Sequence, residues 1–165
     1  MRKSLGIGNM ALGAITSKES VTQHLNVKGG QPLAGTLNVS GAKNSALVLM
    51  TASLLTDETV ELVNVPALTD IQGMGDILGS LGVDVQRSPG RVCLTAAHLT
   101  SAEPPYELVN SLRASFFSIG SLLGRMGHAK VPLPGGCRIG ARPVVEHIRG
   151  LKALGAVVSV QHGIV

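Results

Sequence analysis

The chain has 165 residues, the length of one ordinary domain, and its composition excludes several classes of protein. With 44% hydrophobic and 15% charged residues and a mean hydropathy of +0.32, it is not a disordered chain. No apolar run approaches the roughly 18 residues of a membrane helix, and two cysteines are too few for a disulfide framework. Aromatic residues make up only 2%, so the core has to be built from Ala, Val, Leu and Ile.

Positive charge is concentrated in one part of the chain, whose formal net charge is +4. Residues 44–86 contain no Lys or Arg, whereas residues 113–152 contain seven basic residues and one acid, Glu146. Such a local excess predicts an anionic partner for this segment. A nucleic acid is disfavoured because aromatic side chains for base stacking and runs of Lys or Arg are lacking. A small phosphorylated ligand fits at least as well.

Regular structure is predicted from residue 36 onward, and residues 1–22 are predicted to be a flexible extension. In chain order the pattern predicts a strand, a helix, a strand, a helix and a hairpin, at residues 36–40, 44–55, 59–65, 68–81, 83–86 and 91–95. A Ser-Pro-Gly turn at residues 88–90 joins the two strands of the hairpin.

The pattern then repeats, which predicts an α/β fold of duplicated strand–helix–strand–helix–strand–strand units. The matched pairs are Leu54 with Leu122, Val63 with Val131 and Pro66 with Pro134 at an offset of 68 residues, and Leu81 with Leu154 at 73. The first unit is predicted at about 36–100, and the second, cut short, at about 101–165. The second unit includes a strand at 157–160 and a turn at residues 162–163. Its five extra residues fall in the loop 134–143, where function is expected because loops carry function.

Cys137 lies in this inserted loop, after two glycines and before Arg138 and Arg142. Nearby positive charge favours the reactive thiolate, whereas a lone cysteine is more often an inert small hydrophobe. The residues alone leave both interpretations of Cys137 open. Cys93, in an alternating strand, is expected to be inert. No zinc site is predicted, because the nearest histidine is His147 and no paired-cysteine motif is present.

Lys43 is a second candidate, because it follows Ser40-Gly41-Ala42 where a strand is predicted to give way to a helix. A helix N-terminus binds anions through its free N–H groups, and a lysine there adds a positive charge. The alternative is a solvated lysine in a loop, and the glycine spacing excludes a Walker motif. Arg113 lies near the equivalent helix start of the second copy, which strengthens the anion-site interpretation.

Three motifs together resemble a known family. They are Ser40-Gly41-Ala42-Lys43-Asn44, Leu112-Arg113-Ala114-Ser115 and the run from Leu133 through Cys137 to Pro143. They are similar to those of the UDP-N-acetylglucosamine 1-carboxyvinyltransferases, the bacterial enolpyruvyl transferases of the first committed step of peptidoglycan synthesis. The resemblance runs from about Leu25 to Val165, and it implies a partial domain at 23–165 of the inside-out α/β barrel type, built from βαβαββ units. The shikimate-pathway enolpyruvyl transferases share this architecture but lack the cysteine loop.

The resemblance also implies an activity and roles for individual residues. The expected reaction is transfer of the enolpyruvyl group of phosphoenolpyruvate to the 3′-hydroxyl of UDP-N-acetylglucosamine, in the cytoplasm, with no metal, cofactor, nucleic acid or membrane. Cys137 would be the general acid and the target of fosfomycin, and Lys43 and Arg142 would hold the phosphate and carboxylate of phosphoenolpyruvate. The residues implied to place the substrates and line the uridine side are Asn44, Arg113, Arg142, Pro143, Val144, Val145 and Glu146.

Two residues and the length depart from the family pattern. Arg138 follows the cysteine where the family usually has a small residue, and Val145 stands where an aspartate is common. Family members are more than twice as long, so half of the expected site has no counterpart here, and the isolated chain is expected to be inactive. The alternative hypotheses are a non-catalytic remnant or partial ligand-binding module and, with less support, a shikimate-pathway enolpyruvyl transferase or a nucleic-acid-binding domain.

Overall fold

A computed structural model describes residues 29, 30, 32, 34–134 and 144–165 of the chain. The chain divides into two units, Met1–Leu37 and Asn38–Val165, and all the helices and strands described below belong to the second. Its elements in chain order are α1 (Lys43–Ala52), β1 (Thr59–Val63), α2 (Thr69–Ser80), β2 (Asp84–Ser88), β3 (Arg91–Thr95), α3 (Tyr106–Ser111), α4 (Ser118–Met126) and α5 (Val145–Ala153). Two 3-10 helices, Ser53–Leu55 and Arg113–Phe117, follow α1 and precede α4. None of the helices in these residues is long and apolar enough to cross a membrane.

The three strands form an antiparallel sheet in the order β1-β3-β2, as the predicted hairpin requires. Leu94 of β3 lies opposite Val60 on one side and Val85 on the other. The turn between β2 and β3 places Gly90 at a φ of 74°, a left-handed conformation that glycine adopts without strain. The predicted helices are also confirmed, since α1 with its 3-10 extension and α2 lie within one residue of the expected bounds.

Two predicted strands are wrong. Residues 36–40 form no strand, and Leu37 and Val39 are 85% and 82% exposed. Residues 157–160 form none either; a single bridge between Gln161 and Ile164 closes the predicted turn that follows. An alternation of apolar residues indicates only that a segment has one apolar and one polar face. A strand also needs a neighbouring strand that completes its backbone hydrogen bonds. None of the described strands provides that partner for either segment.

Backbone hydrogen bonds of the first repeat recur in the second at the two offsets that the sequence predicts. The Val65 N–H donates to the Gly90 carbonyl at 3.0 Å. The Leu133 N–H, 68 residues after Val65, donates to the Gly163 carbonyl, 73 residues after Gly90, at 2.7 Å. The two repeats therefore share this backbone hydrogen bond. The five extra residues of the second repeat fall between Leu133 and Gly163, the residues that match Val65 and Gly90.

Each repeat also ends its second helix in the same way. Gly82 follows α2 at a φ of 99°, and Gly155 follows α5 at a φ of 96°, which is the usual glycine stop of a helix. The preceding leucines differ, because Leu81 is fully buried and Leu154 is 87% exposed. The second repeat therefore leaves open an apolar surface whose equivalent in the first repeat is covered.

One hydrophobic core joins the two repeats. It includes Met50 of α1, Leu78 of α2, Leu94 of β3, Phe116 of the second 3-10 helix and Leu122 of α4. Within this core α1 packs against α2 and against the 3-10 helix Arg113–Phe117. This packing brings α1 and α2, in the first repeat, into contact with the 3-10 helix Arg113–Phe117 of the second repeat.

Candidate active site

The chain enters α1 through a close backbone contact at Gly41. A Cβ atom at Gly41 would lie 2.0 Å from the carbonyl oxygen of Asn64, just after β1, so the site requires glycine. The helix then begins at Lys43, with Ala42 in the N-cap position and no side-chain hydrogen bond to cap it. N–H groups of the first helical turn that lack a side-chain cap are available to an anion.

Lys43 is ion-paired with Asp70, which lies in the first turn of α2. The distance from Lys43 Nζ to Asp70 Oδ2 is 2.5 Å, and the two side chains are 44% and 39% exposed. A pair with this exposure contributes about 1 kcal/mol or less to folding stability. The effect of the pair is therefore mainly on where the lysine ammonium lies.

Both residues line a cleft of about 440 Å³ formed by the starts of α1, α2 and α5 and by the second 3-10 helix. The lining residues are Lys43, Asn44, Leu47, Val48, Asp70, Ser111, Leu112, Arg113, Ala114, Phe116, Phe117, Pro134, Val144 and His147. Four residues predicted for the site, Lys43, Asn44, Arg113 and Val144, are thus brought together in one cleft. They come from both repeats.

The cleft carries positive charge at two places. Lys43 lies at the start of α1, and Arg113 begins the second 3-10 helix. Arg113 is exposed and forms no ion pair with a carboxylate of the described residues. With Asp70 as the only acidic residue among the described lining, the formal charge of the cleft is +1 with histidine neutral. A guanidinium and an ammonium lining the same cleft suit a ligand with two anionic groups.

His147 and Asp70 belong to this cleft but were not predicted for it. The His147 ring lies edge-on to Phe116, with 5.6 Å between ring centroids, and 6.0 Å from Phe117. The sequence pattern assigns His147 no role beyond that of the histidine nearest Cys137, although its position soon after Arg142 is an available signal. Asp70 is 27 residues from Lys43, and its only sequence signal was an acid in the first turn of a helix.

The remaining predicted residues lie elsewhere or outside the described part of the chain. Cys137, Arg138, Arg142 and Pro143 lie outside the described residues, as does the rest of 135–143; Pro134 and Val144, which flank that loop, both line the cleft. Val145 is 60% exposed at the start of α5 and does not line the cleft.

Glu146 also lies outside the cleft lining, and its carboxylate pairs with Arg149 one turn later, at 2.6 Å. No group of three or more His, Cys, Asp or Glu side chains that could hold a metal ion occurs among residues 34–134 and 144–165.

A larger cleft of about 940 Å³ lies between α4 and the chain that follows α5. Its lining includes Ile119, Leu123, Leu151, Leu154 and Val157, and none of the predicted site residues. It is the open apolar surface at Leu154 described above. The smaller cleft, with its convergent polar groups, is the candidate active site.

The repeated α/β frame is that of the enolpyruvyl transferase fold, as two comparisons show. The crystal structure of the enolpyruvyl transferase NikO from Streptomyces tendae matches with a TM-score of 0.67 and 21% sequence identity, over 82% of this chain and 30% of that chain. The sequence model of the family described as EPSP synthase (3-phosphoshikimate 1-carboxyvinyltransferase) matches residues 27–165. The chain belongs to this family.

Relatives with much higher identity carry a more specific name. The proteins of Synechococcus sp. (strain CC9605) and Parasynechococcus marenigrum (strain WH8102) are 74% and 71% identical over 152 and 156 residues, and both are named UDP-N-acetylglucosamine 1-carboxyvinyltransferase. The matches cover 92% and 94% of this chain but 35% and 36% of those proteins. The chain thus spans about a third of the length of these relatives. The resemblance predicted from the three motifs is confirmed.

Proposed function

We propose that the chain forms part of a site that transfers the enolpyruvyl group of phosphoenolpyruvate to the 3′-hydroxyl of UDP-N-acetylglucosamine. The observation that carries the proposal is the cleft lined by Lys43 and Arg113, one from each repeat, and by Pro134 and Val144, between which Cys137 falls in the sequence. The names of the relatives support the acceptor. The reaction belongs to peptidoglycan synthesis, in the cytoplasm.

The donor substrate fits the charges of the cleft, because phosphoenolpyruvate carries a phosphate and a carboxylate. The free N–H groups at the start of α1 and the Lys43 ammonium bind one anionic group, and the Arg113 guanidinium helps to place the substrates. Arg142 adds a further positive charge from the loop. These fixed charges stabilise the negative charge that shifts through the substrate during addition.

The chemistry proceeds by addition and then elimination. The acceptor hydroxyl gives its proton to a base as its oxygen bonds to carbon 2 of phosphoenolpyruvate, while carbon 3 receives a proton from the Cys137 thiol, which is left as a thiolate. Loss of a proton from carbon 3 and of phosphate from carbon 2 then restores the double bond in the product. The proton acceptors of the two steps and further ligands are expected in the remaining length of the longer relatives, which this chain does not span.

Fosfomycin labelling tests the role of the loop. The drug is expected to form an adduct on Cys137 and to spare Cys93, which is half-buried in β3. Peptide mass spectrometry locates the adduct; Cys93→Ser serves as the control that keeps labelling, and Cys137→Ser is expected to lose it. A folded chain that is labelled at neither cysteine contradicts the proposal.

Substrate binding tests the cleft independently of the loop. Phosphoenolpyruvate added to the ¹⁵N-labelled chain is expected to shift the first-turn amide signals of α1. Lys43→Ala and Arg113→Ala each weaken binding about tenfold, the usual effect of losing a hydrogen bond to a charged group. UDP-N-acetylglucosamine is expected to bind and shikimate 3-phosphate is not; the reverse preference contradicts the assignment of the acceptor.

A further inference from the structure

Asp70 places a carboxylate inside a cleft whose ligand is expected to be anionic. Its charge opposes ligand binding, and its ion pair with Lys43 adds little to stability at the observed exposure. A lysine ammonium has three N–H donors, and the contact with Asp70 at 2.5 Å occupies one of them. The other two remain available to a ligand in the cleft.

The geometry of Lys43 explains what the carboxylate can contribute. Lys43 stands at the first position of α1 on a flexible four-carbon stem, and its side chain is 44% exposed. Asp70 is fixed in the first turn of α2, which packs against α1. The carboxylate can therefore hold the ammonium over the cleft before any ligand arrives.

We propose that Asp70 is a positioning residue, which orients the Lys43 ammonium towards the anionic group of the ligand and thereby strengthens its binding. This inference rests on the proposed function of the cleft. Two effects of the carboxylate oppose each other, because its negative charge repels the ligand while its contact with Lys43 reduces the entropy lost on binding. The proposal requires the second effect to prevail.

Asp76 provides a matched control on the same helix. Its carboxylate lies 2.7 Å from Arg87 Nη2, and the Asp76 side chain is 58% exposed. It does not line the cleft. Replacing either aspartate by asparagine removes one negative charge from α2, but only replacement of Asp70 frees a residue of the cleft.

The experiment titrates inorganic phosphate into the ¹⁵N-labelled chain and its variants and follows the first-turn amides of α1. Asp70→Asn is expected to weaken phosphate binding up to about fivefold, Asp70→Glu to restore it to within about twofold, and Asp76→Asn to leave it within about twofold of wild type. Binding by Asp70→Asn that equals or exceeds wild type overturns the proposal. If the wild-type chain binds no phosphate at these amides, the proposed function and this inference both fail.

A second measurement needs no variant that might alter the fold. The Lys43 ammonium protons of the wild-type chain are expected to exchange with water more slowly than those of Lys130, whose contact with Glu103 is 3.9 Å and whose side chain is 68% exposed. Equal exchange at the two lysines shows that Asp70 does not hold the ammonium. That result overturns the proposal even where phosphate binds.

Discussion

Replacement of Gly41 by alanine is expected to disturb the fold and the cleft together. The new Cβ atom would lie 2.0 Å from the Asn64 carbonyl oxygen, and this separation must grow by about 1.4 Å to reach ordinary van der Waals contact. The carbonyl is backbone and cannot rotate away like a side chain. We therefore expect a cost of about 1–3 kcal/mol in the free energy of unfolding, because the start of α1 or the end of β1 has to move.

The same displacement reaches the cleft, since Lys43 follows Gly41 by only two residues. A shift of about 1 Å in a positioned group can cost about 100-fold in catalysis, and phosphate binding at α1 is expected to fall at least about tenfold. Urea denaturation measures the stability, and amide titration with phosphate measures the binding. Gly79→Ala is the control, because its Cβ meets nothing within 4 Å in an exposed helix turn, and it should stabilise the chain by about 0.5–1 kcal/mol.

The two measurements refute the reasoning in different ways. Wild-type stability of Gly41→Ala would show that the Asn64 carbonyl does not fix the entry to α1. Lost stability with unchanged phosphate binding would show that the start of α1 does not position the anion site.

Two further predictions compare equivalent positions of the repeats. Leu81→Ala is expected to cost about 2–5 kcal/mol in unfolding free energy, whereas Leu154→Ala should stay within about 0.5 kcal/mol because that side chain is exposed; equal costs in urea denaturation would contradict the open apolar surface. Gly155→Ala should lower the free energy of unfolding by about 1 kcal/mol, because alanine is strained at the positive φ of this residue. Gly82→Ala should cost about 3 kcal/mol or more, because two backbone atoms also lie within 2.9 Å of its Cβ, and a thermal melt that ranks the two glycines in the opposite order would refute this.

The sequence predicted those elements whose signals are local. The helices near Lys43 and Asp70 and the hairpin around Gly90 follow from apolar spacing and turn residues, which the structure confirms. The strand at residues 36–40 was wrong because pairing depends on a distant partner. The repeat offsets succeeded for a different reason, since they compare the chain with itself and do not depend on propensity.

The site was predicted only where a motif marked it. Lys43 and Arg113, which the structure brings into one cleft, were predicted because each stands near the start of a helix within a recognisable motif. The Lys43–Asp70 pair joins residues 27 positions apart, and the contact of His147 with Phe116 spans two elements. Such contacts are created by packing of α1, α2 and α5 and leave no pattern along the chain.

The cleft draws its walls from both repeats, with Lys43 and Asp70 in the first and Arg113 and His147 in the second. A ligand that touches both walls therefore also fastens the repeats to each other. Any ligand that binds only the folded chain stabilises it, by about 2.7 kcal/mol at a concentration 100 times its dissociation constant. In this cleft that free energy acts on residues of both repeats, so a bound anion is expected to raise the unfolding free energy of the two repeats together.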